Sequence, residues 1–192
     1  MKHLITLLSG CLLAAMLSPI QSEASDLCNT KLLLHGTKTV ADSSQFGVAG
    51  WFILPNPGSG TVVAVAGPRL TTKSGWVELM VGFKSVKQAG ELLIDLRVSY
   101  DAYKPIHFWT NVEYFPTTGD WYLYVDCNYD LGSLGKIGLE TENTFYVNGR
   151  NNLSIGPRIV VPFTGQFAIV GAYQFHSQGN QNQAWARAVV NF

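Results

Sequence analysis

The stretch 90–129 constrains the fold more than any other part of the chain. It holds three alternating runs, separated by short breaks at 101–105 and 116–119. In the first run Leu92, Ile94, Leu96, Val98 and Tyr100 alternate with Glu91, Leu93, Asp95, Arg97 and Ser99. In the second Ile106, Phe108, Thr110, Val112 and Tyr114 alternate with His107, Trp109, Asn111, Glu113 and Phe115. In the third Trp121, Leu123, Val125, Cys127 and Tyr129 alternate with Asp120, Tyr122, Tyr124, Asp126 and Asn128. A period of two places each set on its own face of a sheet. One face is aliphatic in mid-strand and aromatic near the strand ends. The other mixes charge with large rings.

The same pattern extends along most of the chain. Gly60, Gly75, Gly90, Pro105, Gly119, Gly135, Gly149, Gly165 and Gly179 recur about every fifteen residues, where turns need their backbone angles. Between them fall strands at 46–55, 61–71, 76–86, 91–101, 106–115, 120–129, 136–146, 152–163, 166–176 and 183–192, with the first two the least sharply defined. All connections are short enough for antiparallel neighbours, so the order is an up-and-down meander. About ten such strands (eight to twelve) close into a barrel, because an open sheet would expose two long edges. The fold class expected is therefore all-β, a closed antiparallel barrel over 46–192. Gly67-Pro68-Arg69 and Gly156-Pro157-Arg158 repeat one tripeptide inside strands, where proline removes a ladder donor and a bulge is expected.

The apolar face sorts its residues. Phe83, Tyr100, Phe108, Tyr114, Trp121, Tyr129, Phe145, Phe163, Phe167 and Phe175 fall near strand ends, with Leu, Ile, Val and Gly between them. Rings at two rims around an aliphatic middle suit a bilayer with two interfaces. Strands of about ten residues also match a tilted crossing. The barrel is expected to be transmembrane, with the aliphatic face towards lipid. The polar face then lines a lumen, with Arg69, Glu78, Lys84, Asp95, Arg97, His107, Glu113, Asp126, Glu140, Arg158 and Arg187 as its candidate lining. Opposite charges on neighbouring strands would satisfy one another there.

The ends and the composition fill in the setting. Lys2 and His3 precede an apolar run from Leu4 to Leu17, and Ser22-Glu23-Ala24 offers small residues for cleavage, so 1–24 is expected to be a signal peptide. Residues 25–45 read as an N-terminal segment before the barrel, periplasmic on the resemblance given below, whose form stays open: an extra strand, a plug or a tail. Thirteen basic and thirteen acidic residues leave no net charge and no nucleic-acid footprint. After cleavage Cys28 and Cys127 remain, free to form a disulfide in an oxidising compartment or to stay unrelated thiols. The histidines are scattered, so no metal site is expected, and no cofactor motif stands out. His176-Ser177 is the nearest thing to a hydrolase pair, but adjacent strand residues point apart. His107 with Glu113 or Asp95 could relay a proton, although a structural histidine is the simpler reading. No enzyme is expected.

The last strand ends on Phe192, with Ala184, Ala186, Ala188 and Val190 on one side and Trp185, Arg187, Val189 and Asn191 on the other. This resembles the C-terminal assembly signal of bacterial outer-membrane β-barrels, and the hairpin from Ile155 through Gly165 to Phe175 is similar in style to porin-like proteins. The resemblance implies the outer membrane of a Gram-negative bacterium, membrane lipid and the barrel insertion machinery as partners, and both termini in the periplasm. On that placement Cys127 nears the periplasmic rim beside Cys28, and a bridge would pin the N-terminal segment to the barrel base. The function implied is structural, or a narrow porin-like conduit for small solutes. The alternative is a secreted, lipocalin-like soluble barrel that turns its aliphatic face inward around a small apolar ligand. A small outer-membrane lipid hydrolase is a third reading.

Overall fold

The computed structural model describes residues 28–40, 45–56, 59–86, 89–101, 103–177 and 182–192. The expected signal peptide, 1–24, lies outside the described residues. The chain forms a closed barrel of eleven strands: β1 (Cys28–Thr39), β2 (Phe46–Pro55), β3 (Thr61–Thr72), β4 (Gly75–Val86), β5 (Ala89–Tyr100), β6 (Ile106–Phe115), β7 (Asp120–Asp130), β8 (Lys136–Phe145), β9 (Ser154–Pro162), β10 (Phe167–His176) and β11 (Gln183–Asn191). Neighbours in sequence pair antiparallel throughout. The exception is the seam, where β1 pairs parallel with β11, from Cys28 opposite Ala184 to His35 opposite Asn191.

The count exceeds the expected ten by β1, which arises in the segment read as preceding the barrel. Its alternation of Lys31, Leu33 and His35 with Leu32 and Leu34 is masked by three consecutive leucines. The odd number corrects the expectation for the termini. Cys28 begins at the mouth where β11 starts, and Phe192 ends at the opposite one. The expected Cys28–Cys127 bridge falls with it. Cys127 is a free thiol. It lies in the last part of β7, which runs towards the Phe192 mouth, so the two cysteines belong to opposite ends of the barrel. We call the Phe192 end the C-terminal mouth and the other the distal mouth.

No bulge forms at either Gly-Pro-Arg. Ala66 opposes Val81 and Arg69 opposes Glu78 in one unbroken register, and Leu139 opposes Pro157 in another. Each proline points outward and each arginine inward. The glycines are needed for a different reason. A Cβ on Gly67 would stand 2.1 Å from the Leu79 carbonyl oxygen, and one on Gly156 would stand 1.7 Å from that of Tyr173. The strands run too close there for any side chain. Where the ladder between β8 and β9 loosens, side chains replace it: Ser154 Oγ donates to the Glu142 carbonyl at 2.6 Å, and Ser154 N–H donates to Asn143 Oδ1 at 2.9 Å.

The barrel is inverted relative to a soluble one. Leu79, Val81, Leu92, Leu139 and Ile155 are more than half exposed, while Glu78, Asp95 and Arg97 are fully buried. The ten sorted aromatics all face outward and form two rings. Phe83, Tyr114, Trp121, Phe145 and Phe175 lie towards the distal mouth; Tyr100, Phe108, Tyr129, Phe163 and Phe167 lie towards the C-terminal mouth. Tyr114 and Trp121 pack with tilted rings 4.6 Å apart at their centroids, and Phe163 and Phe167 likewise at 5.5 Å.

Candidate functional site: a blind lumenal cavity

All eleven lumen candidates lie on the inner face, and most form three packed clusters. The first surrounds Glu78 on β4. Its carboxylate accepts from Arg69 at 2.5 Å and from Trp51 Nε1 at 2.8 Å, and lies 3.1 Å from His35 Nε2. The His35 and Trp51 rings stack at 4.0 Å, and His35 Nδ1 lies 3.1 Å from Asn191 Oδ1 across the seam. A fully buried carboxylate is tolerable only with such partners.

The second cluster is Asp95 and Arg97 on β5. Two residues apart on a strand, they share a face, and Arg97 grips one carboxylate oxygen from Nε at 3.0 Å and from a terminal nitrogen at 2.7 Å. Asn111 Nδ2 adds a bond to Asp95 at 3.1 Å. The Arg97 guanidinium also lies 4.4 Å above the Trp51 ring, which joins this cluster to the first.

The third cluster spans β7 to β11 and β1. Glu140 receives two bonds from Arg187, both 2.7 Å, one from Tyr124 Oη at 2.8 Å and one from Gln174 at 2.7 Å. Arg158 donates to Asp126 and, at 2.9 Å, to Tyr124 Oη. Lys31 binds Glu142 at 2.9 Å, and Arg187 reaches the same carboxylate at 3.1 Å. A forked arginine on a carboxylate is the strongest of these contacts.

Against the inner wall of β2 to β6 packs an apolar group: Trp51, Ile53, Val63, Val65, Met80, Leu93 and Phe115. Between this group and the third cluster lies a cavity of about 400 Å3. Pro55, Lys84, Glu91, Asp120 and Tyr146 line it at the distal mouth, and Arg97, Trp109, Tyr124, Arg158 and Arg187 line it deeper in. Arg69, His107, Asn128 and Lys136, which face inward towards the C-terminal mouth, take no part in its lining. Among the described residues the lining thus runs from the distal mouth into the barrel and stops short of the C-terminal mouth.

The remaining candidates separate from this site. His107 stands at the C-terminal mouth between Asp101 at 2.7 Å and Asp130 at 3.3 Å, not beside Glu113 or Asp95. His176 Nδ1 lies 3.0 Å from Asn152, and Ser177 Oγ has no hydrogen-bond partner among the described residues. Among those residues no group of His, Cys, Asp and Glu is placed to hold a metal ion. Sequence reasoning missed Lys31 and His35, hidden in β1, and passed over the uncharged Trp51, Asn111 and Gln174. Their inward parity was the only signal available.

No known protein family, curated protein or solved structure matches this chain.

Proposed function

We propose that this chain is an outer-membrane β-barrel with a structural role, whose lumen is a closed, small-solute cavity rather than a standing conduit. The observation that carries the reading is the inversion of the barrel: an exposed aliphatic belt between two aromatic rings, around fully buried charge. Such a surface is costly in water and suits a bilayer core with two interfaces. The strands, of nine to twelve residues, have the length for a tilted crossing. The lipocalin-like alternative needs the aliphatic face inside, and here that face is outside. No catalytic role is assigned.

The three buried clusters argue against a free passage. Solute crossing requires the Glu78, Asp95–Arg97 and Glu140–Arg187 contacts to part, and each parting strands buried charge. With Phe192 on the periplasmic side, as its resemblance to an assembly signal implies, the cavity opens to the external medium. Recovery with outer membranes and heat-modifiable migration in SDS are the expected results on fractionation. Recovery as a soluble periplasmic protein without detergent overturns the membrane reading. Planar-bilayer recording is expected to show no steady conductance, and a stable open level would overturn the closed lumen.

A further inference from the structure

Most charges lining the cavity are used up within its wall. Lys31 is held by Glu142, Arg158 by Asp126, Arg187 by Glu140 and Glu142, and Arg97 by Asp95. Glu91 and Asp120, at the mouth, tie neighbouring connections together: Glu91 accepts from Thr118 Oγ1 at 3.1 Å and Asp120 from the Val147 N–H at 3.0 Å.

Among the described residues Lys84 and Glu113 lack a close ion pair. Lys84 makes no ion pair among the described residues, and its ammonium rests 5.0 Å from the centroid of Phe115. Glu113 is 8% exposed, yet among the described residues it is reached only by Asn111 Nδ2 at 3.4 Å and by Arg97 at 3.9 Å. Next to it Asn111 is 2% exposed, and its buried Oδ1 has no hydrogen-bond partner among the described residues. Lys84 and Glu113 line the same cavity without coming within ion-pair distance of each other. Among the described residues the site thus presents one unpaired cation, one poorly held anion, and an apolar wall of Ile53, Val63 and Phe115.

We propose that the cavity binds a small zwitterion carrying a primary ammonium, a carboxylate and an apolar substituent, of which an apolar α-amino acid is the simplest. The ammonium donates to Glu113, which supplies the close partner that this carboxylate lacks. The carboxylate pairs with Lys84, and the substituent lies against Ile53, Val63 and Phe115. A ligand of one sign satisfies only one end and leaves the other group desolvated and unpaired. The lining holds as many cations as carboxylates, which also favours a net-neutral guest. The volume sits at the small end of ligand pockets, roughly 300–1,000 Å3. This inference rests on the lumen being a small-solute cavity, but not on which membrane holds the barrel.

The test is titration calorimetry of the folded protein in detergent with L-phenylalanine, phenethylamine and 3-phenylpropionate. L-Phenylalanine is expected to bind, and each half-ligand to bind at least tenfold more weakly. Lys84→Met should bring L-phenylalanine down to the level of phenethylamine and leave phenethylamine unchanged. Glu113→Gln should bring it down to the level of 3-phenylpropionate. Equal binding of the three ligands, no binding of L-phenylalanine at millimolar concentration, or an unchanged affinity in Lys84→Met overturns the proposal. Lys84 breaks no ion pair when replaced, so that variant decides the matter even where Glu113→Gln does not fold. Heat-modifiable migration, scored for every sample, reports the barrel separately from the ligand.

Discussion

The two halves of the lumen solve one problem in different ways. On β2 to β6 Trp51, Ile53, Val63, Val65, Met80, Leu93 and Phe115 pack together much as in a soluble core, beside the Glu78 and Asp95–Arg97 clusters. On β7 to β11 and β1 it is filled by Glu140, Arg187, Glu142, Lys31, Arg158 and Asp126. Apolar packing is non-directional and forgives a local shift. A buried ion-pair cluster tolerates none, since the cost of burying each charge is offset only by the others. The contrast also bears on register. In β7 and β8 a slip by one residue would put Asp126 and Glu140 on the outer face, so chemistry fixes the pairing. In β2 and β3 both faces are apolar around Trp51, Phe52, Ile53, Val62, Val63 and Val65, so the connections and the neighbouring strands must set it.

That difference decides how much could be read beforehand. Where the inner face is charged the alternation is plain, and strands β4 to β8 can be drawn from the sequence nearly to the residue. Where the inner face is apolar the period blurs. The expected strands at 46–55 and 61–71 were for that reason the least sharply defined, and β1 was not assigned to the barrel at all. Inward parity on the later strands places Arg158 and Arg187, but no pattern says which carboxylate each will grip. Asp126 and Glu140 are distant in sequence from those arginines and meet them only because of the stagger of a closed barrel. The seam is likewise invisible in sequence, since nothing local marks β1 as the parallel partner of β11.

The sharpest way to break the comparison is Arg187→Met. It removes two 2.7 Å bonds from Glu140, which is 1% exposed, and one bond from Glu142. Stranding a buried carboxylate costs about 3–5 kcal/mol, read as a lower midpoint in urea unfolding of the detergent-folded barrel. Adding Glu140→Gln should restore most of that loss, because Lys31 still holds Glu142. If the double variant is no better than the single one, the ionic half is not held by mutual compensation.

In the apolar half the matching change is Leu93→Ala. Leu93 is fully buried, and the lost transfer energy plus the cavity left behind come to about 3 kcal/mol. Here no second substitution should rescue stability, except one within the same apolar group that refills the space, such as a larger residue in place of Val63. Rescue by a change of charge would contradict the division into two halves.

The smallest effect, and the finest test of the ionic half, is Tyr124→Phe. The hydroxyl donates to Glu140 at 2.8 Å and accepts from Arg158 at 2.9 Å, so it couples the two arginine–carboxylate pairs without carrying charge. Its ring packs edge-on against Trp109, with centroids 5.1 Å apart, and that contact survives in phenylalanine. Glu140 keeps Arg187 and Gln174, and Arg158 keeps Asp126, so only one hydroxyl's bonds are lost. The expected cost is about 1 kcal/mol. The more telling readout is the coupling between Arg158→Met and Arg187→Met, which should be non-additive with Tyr124 present and move towards additivity in Tyr124→Phe. Unchanged coupling would mean that the two pairs communicate through the shared field of Glu140, which Arg158 Nε approaches at 3.6 Å, and that the tyrosine only fills space between them.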